Sequence, residues 1–293
     1  MTEFAQTLVD GLANGAIYAS LALALVLIYR ATNIVNFAQG EMAMFSTYVA
    51  WQLTAWGVPL AVTVLVTLAA ALFTGAAVER VLIRPLEGTS ELAVVILTIG
   101  LFLTLNAVAV WVWGGLIKTV PSVLPDATWD VGGVRLSGTS VGIVAVLVIE
   151  VVVLYGLFQF TKLGLAMRAV AESGENASLT GVDVRRILVV GWGFAAVLGA
   201  IAGLLIAPQV FLEPNFMFGV LIYSFAAAVL GGIDSPGGAV VGGLIVGVTE
   251  NLAGNYVGAI GSDLKILVPL TLIVGILLVR PNGLFGTKAV TRV

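Results

Sequence analysis

The 293-residue chain has neither cysteine nor histidine. Those two absences remove disulfides, thiolate nucleophiles, His–Ser and His–Cys catalytic pairs, imidazole metal ligands and histidine proton relays. Charge is scarce as well. The 13 basic and 16 acidic side chains amount to 10% of the residues, against about 25% in soluble domains. The formal charge of −3 excludes a strongly basic nucleic-acid binder. None of the four lysines follows a glycine; they stand after Ile117, Thr161, Leu264 and Thr287. The Gly-Lys-Ser/Thr phosphate loop is therefore missing, and any ATP hydrolysis coupled to this chain belongs to another subunit. No nucleophile–base pair suggests an intramembrane enzyme, and no charge motif suggests the ring of a channel filter.

What is present is apolar. Hydrophobic residues make up 60%, with 35 glycines besides, so a water-soluble monomer cannot cover itself and most of the chain has lipid as its solvent. Spans of about 20 apolar residues place nine membrane segments near 9–29, 35–53, 60–80, 92–114, 140–160, 187–207, 217–232, 237–254 and 264–280. Gly57-Val58-Pro59 divides the long run 42–78. The segments near 35–53, 217–232 and 237–254 are short or glycine-broken, which keeps re-entrant alternatives and a count of eight open. The expected fold is an all-α polytopic bundle of about 8–9 transmembrane segments, residues 1–293 forming a single membrane domain.

Lys and Arg set the orientation. With nine crossings and the N-terminus outside, the inner side holds Arg30, Arg80, Arg84, Lys162, Arg168, Arg185, Arg186, Arg280, Lys288 and Arg292, and the outer side only Lys118, Arg135 and Lys265. The C-terminus is then cytosolic. Glu3 and Asp10 with no basic residue at the start suggest that the first apolar run stays as a span. Gly199-x-x-x-Gly203, Gly243-x-x-x-Gly247 and Gly254-x-x-x-Gly258 suit close helix packing. Ile17-Tyr18-Ala19-Ser20 and Ile222-Tyr223-Ser224-Phe225 hint at an internal repeat, of the kind that places a pathway between halves.

Three polar constellations stand out. In Asn33 to Glu41, the residues Asn36, Gln39, Gly40 and Ala43 fall on one helix face, with Glu41 pointing elsewhere. Polar groups inside a membrane are functional candidates, so Asn33, Asn36, Gln39, Gly40, Glu41 and the lone acid Glu150 are candidates for a translocation pathway. The bland alternative has Asn33 and Asn36 capping the second helix and Glu41 pairing with Arg30. Asn106, Glu250 and Asn251 are further candidates, although Glu250 falls near the outer end, where it could be solvated. The second constellation, about 163–182, reads as a short cytosolic helix. Arg168, Glu172 and Glu175 form its charged face at i, i+4 and i+7, and Leu165, Ala169 and Ala177 rest on the membrane domain. It is either a passive interfacial helix or a docking surface for a cytosolic partner. The third, Gly231, Gly232, Asp234, Pro236 and Gly237, is either a connecting turn or a broken-helix gate.

At these residues the whole chain resembles the permease subunits of high-affinity branched-chain amino-acid ABC importers. The resemblance rests on Asn36-Phe37-Ala38-Gln39-Gly40-Glu41, Glu79-Arg80-Val81-Leu82-Ile83-Arg84-Pro85-Leu86, Thr98-Ile99-Gly100-Leu101 and Gly164-Leu165-Ala166-Met167-Arg168-Ala169. It continues through Ala177-Ser178-Leu179-Thr180-Gly181-Val182, Leu230-Gly231-Gly232-Ile233 with Pro236-Gly237-Gly238, and Arg280-Pro281-Asn282-Gly283-Leu284-Phe285-Gly286. Where the family usually has His-Gly-Glu, Gln39 replaces the histidine, so no protonation role belongs there. Glu175, Ala177 and Gly181 match the spacing of the cytosolic motif by which ABC permeases dock their ATPase, with Asn176 in place of its first alanine and its Leu-Pro ending absent.

The resemblance implies that Arg168, Glu172, Glu175, Ala177 and Gly181 form a coupling helix. It implies two cytosolic ABC ATPases, a second similar permease, an external solute-binding protein and a prokaryotic cytoplasmic membrane, with no cofactor in this chain because ATP is used by its partners. The implied cargo is leucine, isoleucine, valine or another neutral solute. The rival reading is an ion-coupled secondary transporter of a small neutral solute with Glu41 or Glu150 as its coupling acid.

Overall fold

A computed structural model describes residues 2–86, 88–258, 260–261 and 264–287. Lys288 and Arg292, counted above on the inner side, lie outside the described residues. The chain is helical almost throughout: α1 (Thr2–Thr32), α2 (Gln39–Ala55), α3 (Leu60–Val78), α4 (Glu91–Trp113), α5 (Gly138–Phe160), α6 (Lys162–Glu172), α7 (Gly174–Leu179), α8 (Val184–Val210), α9 (Phe216–Gly231), α10 (Pro236–Tyr256) and α11 (Leu267–Val279). Each of the nine expected segments coincides with one helix. Among the described residues, six stretches can cross a membrane by length and composition: Thr2–Thr32, Leu60–Leu86, Glu91–Trp113, Gly138–Phe160, Val184–Val210 and Pro236–Tyr256. Phe216–Gly231 and Leu267–Val279 are shorter and apolar.

The helix ends follow local chemistry. Asn33 ends α1 at φ 57, in the left-handed region that asparagine tolerates. Gly57, at φ 79, and Pro59 make the expected break before α3. Beyond Val78 the helix loosens into a π turn, Glu79–Ile83, and a 3-10 turn, Arg84–Leu86, at Pro85. Ser90, Thr161, Ser173, Asp183 and Ser235 each cap a helix N-terminus through the side-chain oxygen.

Two expectations are corrected. The segment near 237–254 is not broken by its glycines; α10 is continuous over 21 residues. Lipid offers the backbone no alternative partner, so helix hydrogen bonds outweigh the low propensity of glycine. The all-α expectation also missed a small hairpin, β1 (Thr128–Val131) with β2 (Val134–Ser137), registered Thr128 to Ser137 and Val131 to Val134. Its two-residue turn is Gly132-Gly133, both at positive φ, a strong hairpin signal.

Two compact units divide the chain: Met1–Val26, Leu124–Leu147 and Gly219–Val293 form the first, and Leu27–Val123 with Val148–Phe218 the second. In the first, Gly11, Gly15 and Ala19 of α1 meet Gly243 and Gly247 of α10. A Cβ on Gly243 would lie 2.6 Å from that of Ala19, and one on Gly15 2.7 Å from the Gly243 carbonyl. In the second, Gly75 of α3 abuts Trp192 and Ala196 of α8, and Gly203 of α8 abuts Thr47 of α2. Of the three expected glycine pairs, Gly243 with Gly247 holds a helix against a neighbour, and so does Gly203 of the first pair. Gly254 meets only the Lys265 side chain, and Gly258 lies beyond the end of α10 with open space around it. Large apolar side chains such as Leu65, Phe73, Ile96, Leu103, Trp111 and Val152 are exposed, which suits a lipid environment.

Candidate functional site

The first constellation closes into a buried polar network within the second unit. The Asn36 Oδ1 accepts from the Ala38 amide (3.0 Å), and its Nδ2 donates to Gln39 Oε1 (3.0 Å). The Gln39 Nε2 in turn donates to the Ala195 carbonyl of α8 (2.8 Å). Asn36, Gln39, Gly40 and Glu41 are all buried, Glu41 at 1% exposure. The Glu41 carboxylate is reached by Asn106 Nδ2 of α4 (3.4 Å), which also donates to the Pro214 carbonyl (2.8 Å) and Asn215 Oδ1 (3.0 Å). Two amide hydrogens serve three acceptors, and Glu41 has the longest contact. Asn106 thus links α2 to the loop between α8 and α9.

Neither half of the bland alternative holds. The N-cap of α2 is Ala38 with no side-chain cap, and the bond to Glu41 comes from Asn106 rather than Arg30. Asn36 precedes α2, so the shared helix face is replaced by direct hydrogen bonds. Asn33 is exposed at the end of α1, outside the network. Glu150 is buried on α5, one face with Ile143 and Leu147 at i, i+4 and i+7.

Farther along α2, Gln52 Oε1 accepts from Trp113 Nε1 (3.1 Å), and Tyr48 stacks on Trp113 with centroids 5.0 Å apart. The Lys118 ammonium lies over the Trp51 ring at 4.4 Å, within cation–π range. The Lys118 backbone pairs both ways with Leu212 at 2.9 Å. The α8–α9 loop is thus held at Leu212, Pro214 and Asn215.

The single helix expected at 163–182 is two. Ser173 is extended (φ −162, ψ 108), its amide closing α6 on the Ala169 carbonyl and its hydroxyl capping α7 through the Asn176 amide. Glycine and serine at 173–174 break what the charge spacing suggested. The buried side of α6 is Gly164, Met167 and Val170, whereas Leu165, expected to rest on the membrane domain, is 61% exposed. Ala177 is buried as expected. Arg168 is half-buried and turns back to Gln159 (3.5 Å), leaving Glu172 and Glu175 exposed on separate helices. Gly181, at φ 86, ends α7 with its amide on the Ser178 carbonyl and the Val182 amide on the Ala177 carbonyl. That is a Schellman cap, and it explains the glycine.

The glycine-rich turn after α9 is a clasp in the first unit. Leu284 and Phe285 amides donate to the Leu230 and Gly231 carbonyls, both at 2.9 Å. Gly232, at φ 108, would place a Cβ 2.5 Å from the Gly286 nitrogen. Asp234 accepts from the Thr287 amide (2.9 Å) and hydroxyl. Pro236 occupies the first turn of α10, and Gly237 faces open space.

Sequence reasoning missed one cluster in the first unit. Glu250, a candidate whose alternative was a solvated place near the outer end, is 6% exposed and accepts from Tyr18 Oη at 2.8 Å. The Tyr18 ring in turn stacks on that of Tyr223. The cluster's signal was the repeated Ile-Tyr pair at 17–18 and 222–223. Among the described residues no group of three or more Asp and Glu side chains could hold a metal ion.

The family described as "Branched-chain amino acid transport system / permease component" matches residues 7–277. The high-affinity branched-chain amino acid transport system permease protein BraD of Pseudomonas aeruginosa is 32% identical, over 99% of this chain and 98% of that one. LivH of Escherichia coli, a permease protein of the same description, is 29% identical over the same shares. A probable LivH of Methanocaldococcus jannaschii is 29% identical over 91% of this chain and 87% of its own. Among solved structures, PsaBC from Streptococcus pneumoniae in complex with Fab matches with a TM-score of 0.49 and 11% identity, over 95% of this chain and 92% of that one. With the family matched over nearly its whole length, the chain belongs to the permease components of branched-chain amino-acid transport systems.

Proposed function

We propose that the chain is one permease subunit of an ABC importer, carrying branched-chain or other neutral amino acids across a prokaryotic cytoplasmic membrane. It crosses nine times, N-terminus outside and C-terminus inside, as a single membrane domain. A second, similar permease completes the pathway, two cytosolic ATPases supply the energy, and an external binding protein delivers the cargo. ATP is used in the partners, and no cofactor is required in this chain.

The observation that carries this reading is the buried network Asn36–Gln39 and Glu41–Asn106, polar groups placed among apolar helices where each would be costly without a role. Asn36, Gln39, Gly40, Glu41 and Glu150 are pathway residues, with Asn33 at its inner lip. Energy enters through α6 and α7, where Glu172 and Glu175 are exposed and Ala177 anchors the pair. The turn Gly231, Gly232, Asp234, Pro236 and Gly237, clasped by the chain's end, is a fixed point against which the spans move.

The test is leucine uptake into liposomes holding this chain with its partner permease, ATPases and binding protein. ATP-dependent uptake that needs all four supports the proposal. Uptake by this chain alone under a proton or sodium gradient would replace it with ion-coupled transport.

A further inference from the structure

A cleft of about 220 Å³ opens in the second unit where α1 and α3 end and α4 and α8 begin. Its walls are mainly apolar: Ile34, Ile83, Leu86, Val94, Leu188 and the ring of Trp192. Trp192 is 1% exposed, and its Nε1–H is buried with no hydrogen-bond partner among the described residues. A buried donor left unpaired is destabilising, so an acceptor brought to it restores what was lost. Val81, Leu92 and Ile96, beside the lining residues in sequence, are exposed apolar side chains suited to acyl chains.

The charged residues that line the cleft, Glu79 and Glu91, are acidic, and a guanidinium stands beside one of them without lining the cleft itself. Glu79 lines the cleft and is bound by Arg84, through Nε at 3.4 Å and one Nη at 3.0 Å. That same Nη also reaches the Arg185 carbonyl at 3.4 Å, which leaves the other Nη unengaged among the described residues. Glu91 lines the cleft too, exposed in the first turn of α4. With acids and a guanidinium side by side, a purely anionic headgroup is a poor fit, and a zwitterion a good one.

We propose that this cleft holds a phospholipid whose headgroup carries a primary amine. Part of one acyl chain fills the apolar walls, and an ester carbonyl accepts from Trp192 Nε1. Arg84 takes the phosphate, and Glu91 accepts from the ammonium. A quaternary ammonium has no hydrogen to donate to Glu91, and a glycerol headgroup has no charge for it, so the site selects the primary amine over both. The helix ends place it where headgroups meet the hydrocarbon. The proposal concerns lipid rather than cargo and stands apart from the transport reading.

The experiment is native mass spectrometry on the full chain, purified in detergent, stripped of lipid and titrated with phosphatidylethanolamine, phosphatidylcholine and phosphatidylglycerol in turn. One phosphatidylethanolamine should be retained at concentrations about two- to five-fold lower than either competitor. Trp192→Phe, which keeps the ring and loses the N–H, should weaken retention about five-fold. Glu91→Gln should erase the headgroup preference, and Val94→Trp should close the cleft and abolish retention. Equal retention of the three lipids by the wild-type chain, or undiminished phosphatidylethanolamine binding by both Trp192→Phe and Val94→Trp, would overturn the proposal. Glu91→Gln lies on an exposed rim, so its result stands even where a core variant fails to fold.

Discussion

Tyr18 and Tyr223 stack ring on ring, centroids 4.7 Å apart and planes within 8°, and the Tyr18 hydroxyl donates to the buried carboxyl of Glu250 at 2.8 Å. Tyr18 thus joins three helices, its ring meeting α9 and its hydroxyl meeting α10. Removing the carboxyl leaves the Tyr18 phenol without its acceptor in a medium that offers no water. Glu250→Ala is expected to destabilise the protein by about 1–3 kcal/mol. Glu250→Gln, which keeps an acceptor oxygen, should cost less. Thermal unfolding of the purified chain in micelles measures both, and equal losses would show that the carboxyl oxygens are not what joins the helices.

The seam between α1 and α10 makes a sharper contrast. Gly243→Ala brings a methyl within 2.7 Å of the Ala19 Cα, a backbone atom that cannot turn away. An overpacking cost of about 1–3 kcal/mol is expected. Gly237→Ala, on the same helix but facing open space, should be neutral or slightly stabilising. The pair of melting temperatures decides whether the seam is close-packed as described.

Much of this architecture was legible in advance because its signals are local. Apolar stretches marked nine segments that each coincide with a helix, Gly57-Val58-Pro59 marked a boundary, and Gly243-x-x-x-Gly247 marked a packing face. The partner stripe Gly11, Gly15 and Ala19 went unread because a small residue shows its use only beside the helix it meets. The inner connection was misread as one helix because the i, i+4, i+7 spacing of Arg168, Glu172 and Glu175 says nothing of Ser173, whose hydroxyl starts a second helix. In the polar site, Asn36 and Gln39 were visible as neighbours in sequence. The reach of Asn106 to Glu41, across 65 residues, and of Tyr18 to Glu250, across 232, depends on tertiary packing.

Asp234 holds the chain's end through the amide and hydroxyl of Thr287. Asp234→Ala should free that end and speed chymotryptic cleavage at Phe285, an exposed aromatic in the clasp, with little change in melting temperature. An unchanged cleavage rate would mean that the backbone pairing of Leu284 and Phe285 is sufficient without the side chain.

Asn106 ties the Glu41 carboxylate to the loop at Pro214 and Asn215. Asn106→Ala removes all three contacts without adding bulk. Uptake by the assembled importer should fall about ten-fold, equivalent to about 1.4 kcal/mol in the limiting step, at an unchanged level of protein in the membrane. Normal uptake by this variant would remove Asn106 from the pathway.

The central claim is that this chain converts ATPase motion, received at α6 and α7, into movement of cargo. Glu172→Lys with Glu175→Lys reverses two exposed charges without touching the buried Met167, Val170 and Ala177. The direct measurement follows ATP hydrolysis and leucine uptake together in liposomes carrying the complete importer. The account predicts that the double variant inserts normally but loses uptake and the hydrolysis stimulated by the binding protein. Unchanged, coupled uptake in that variant would contradict it.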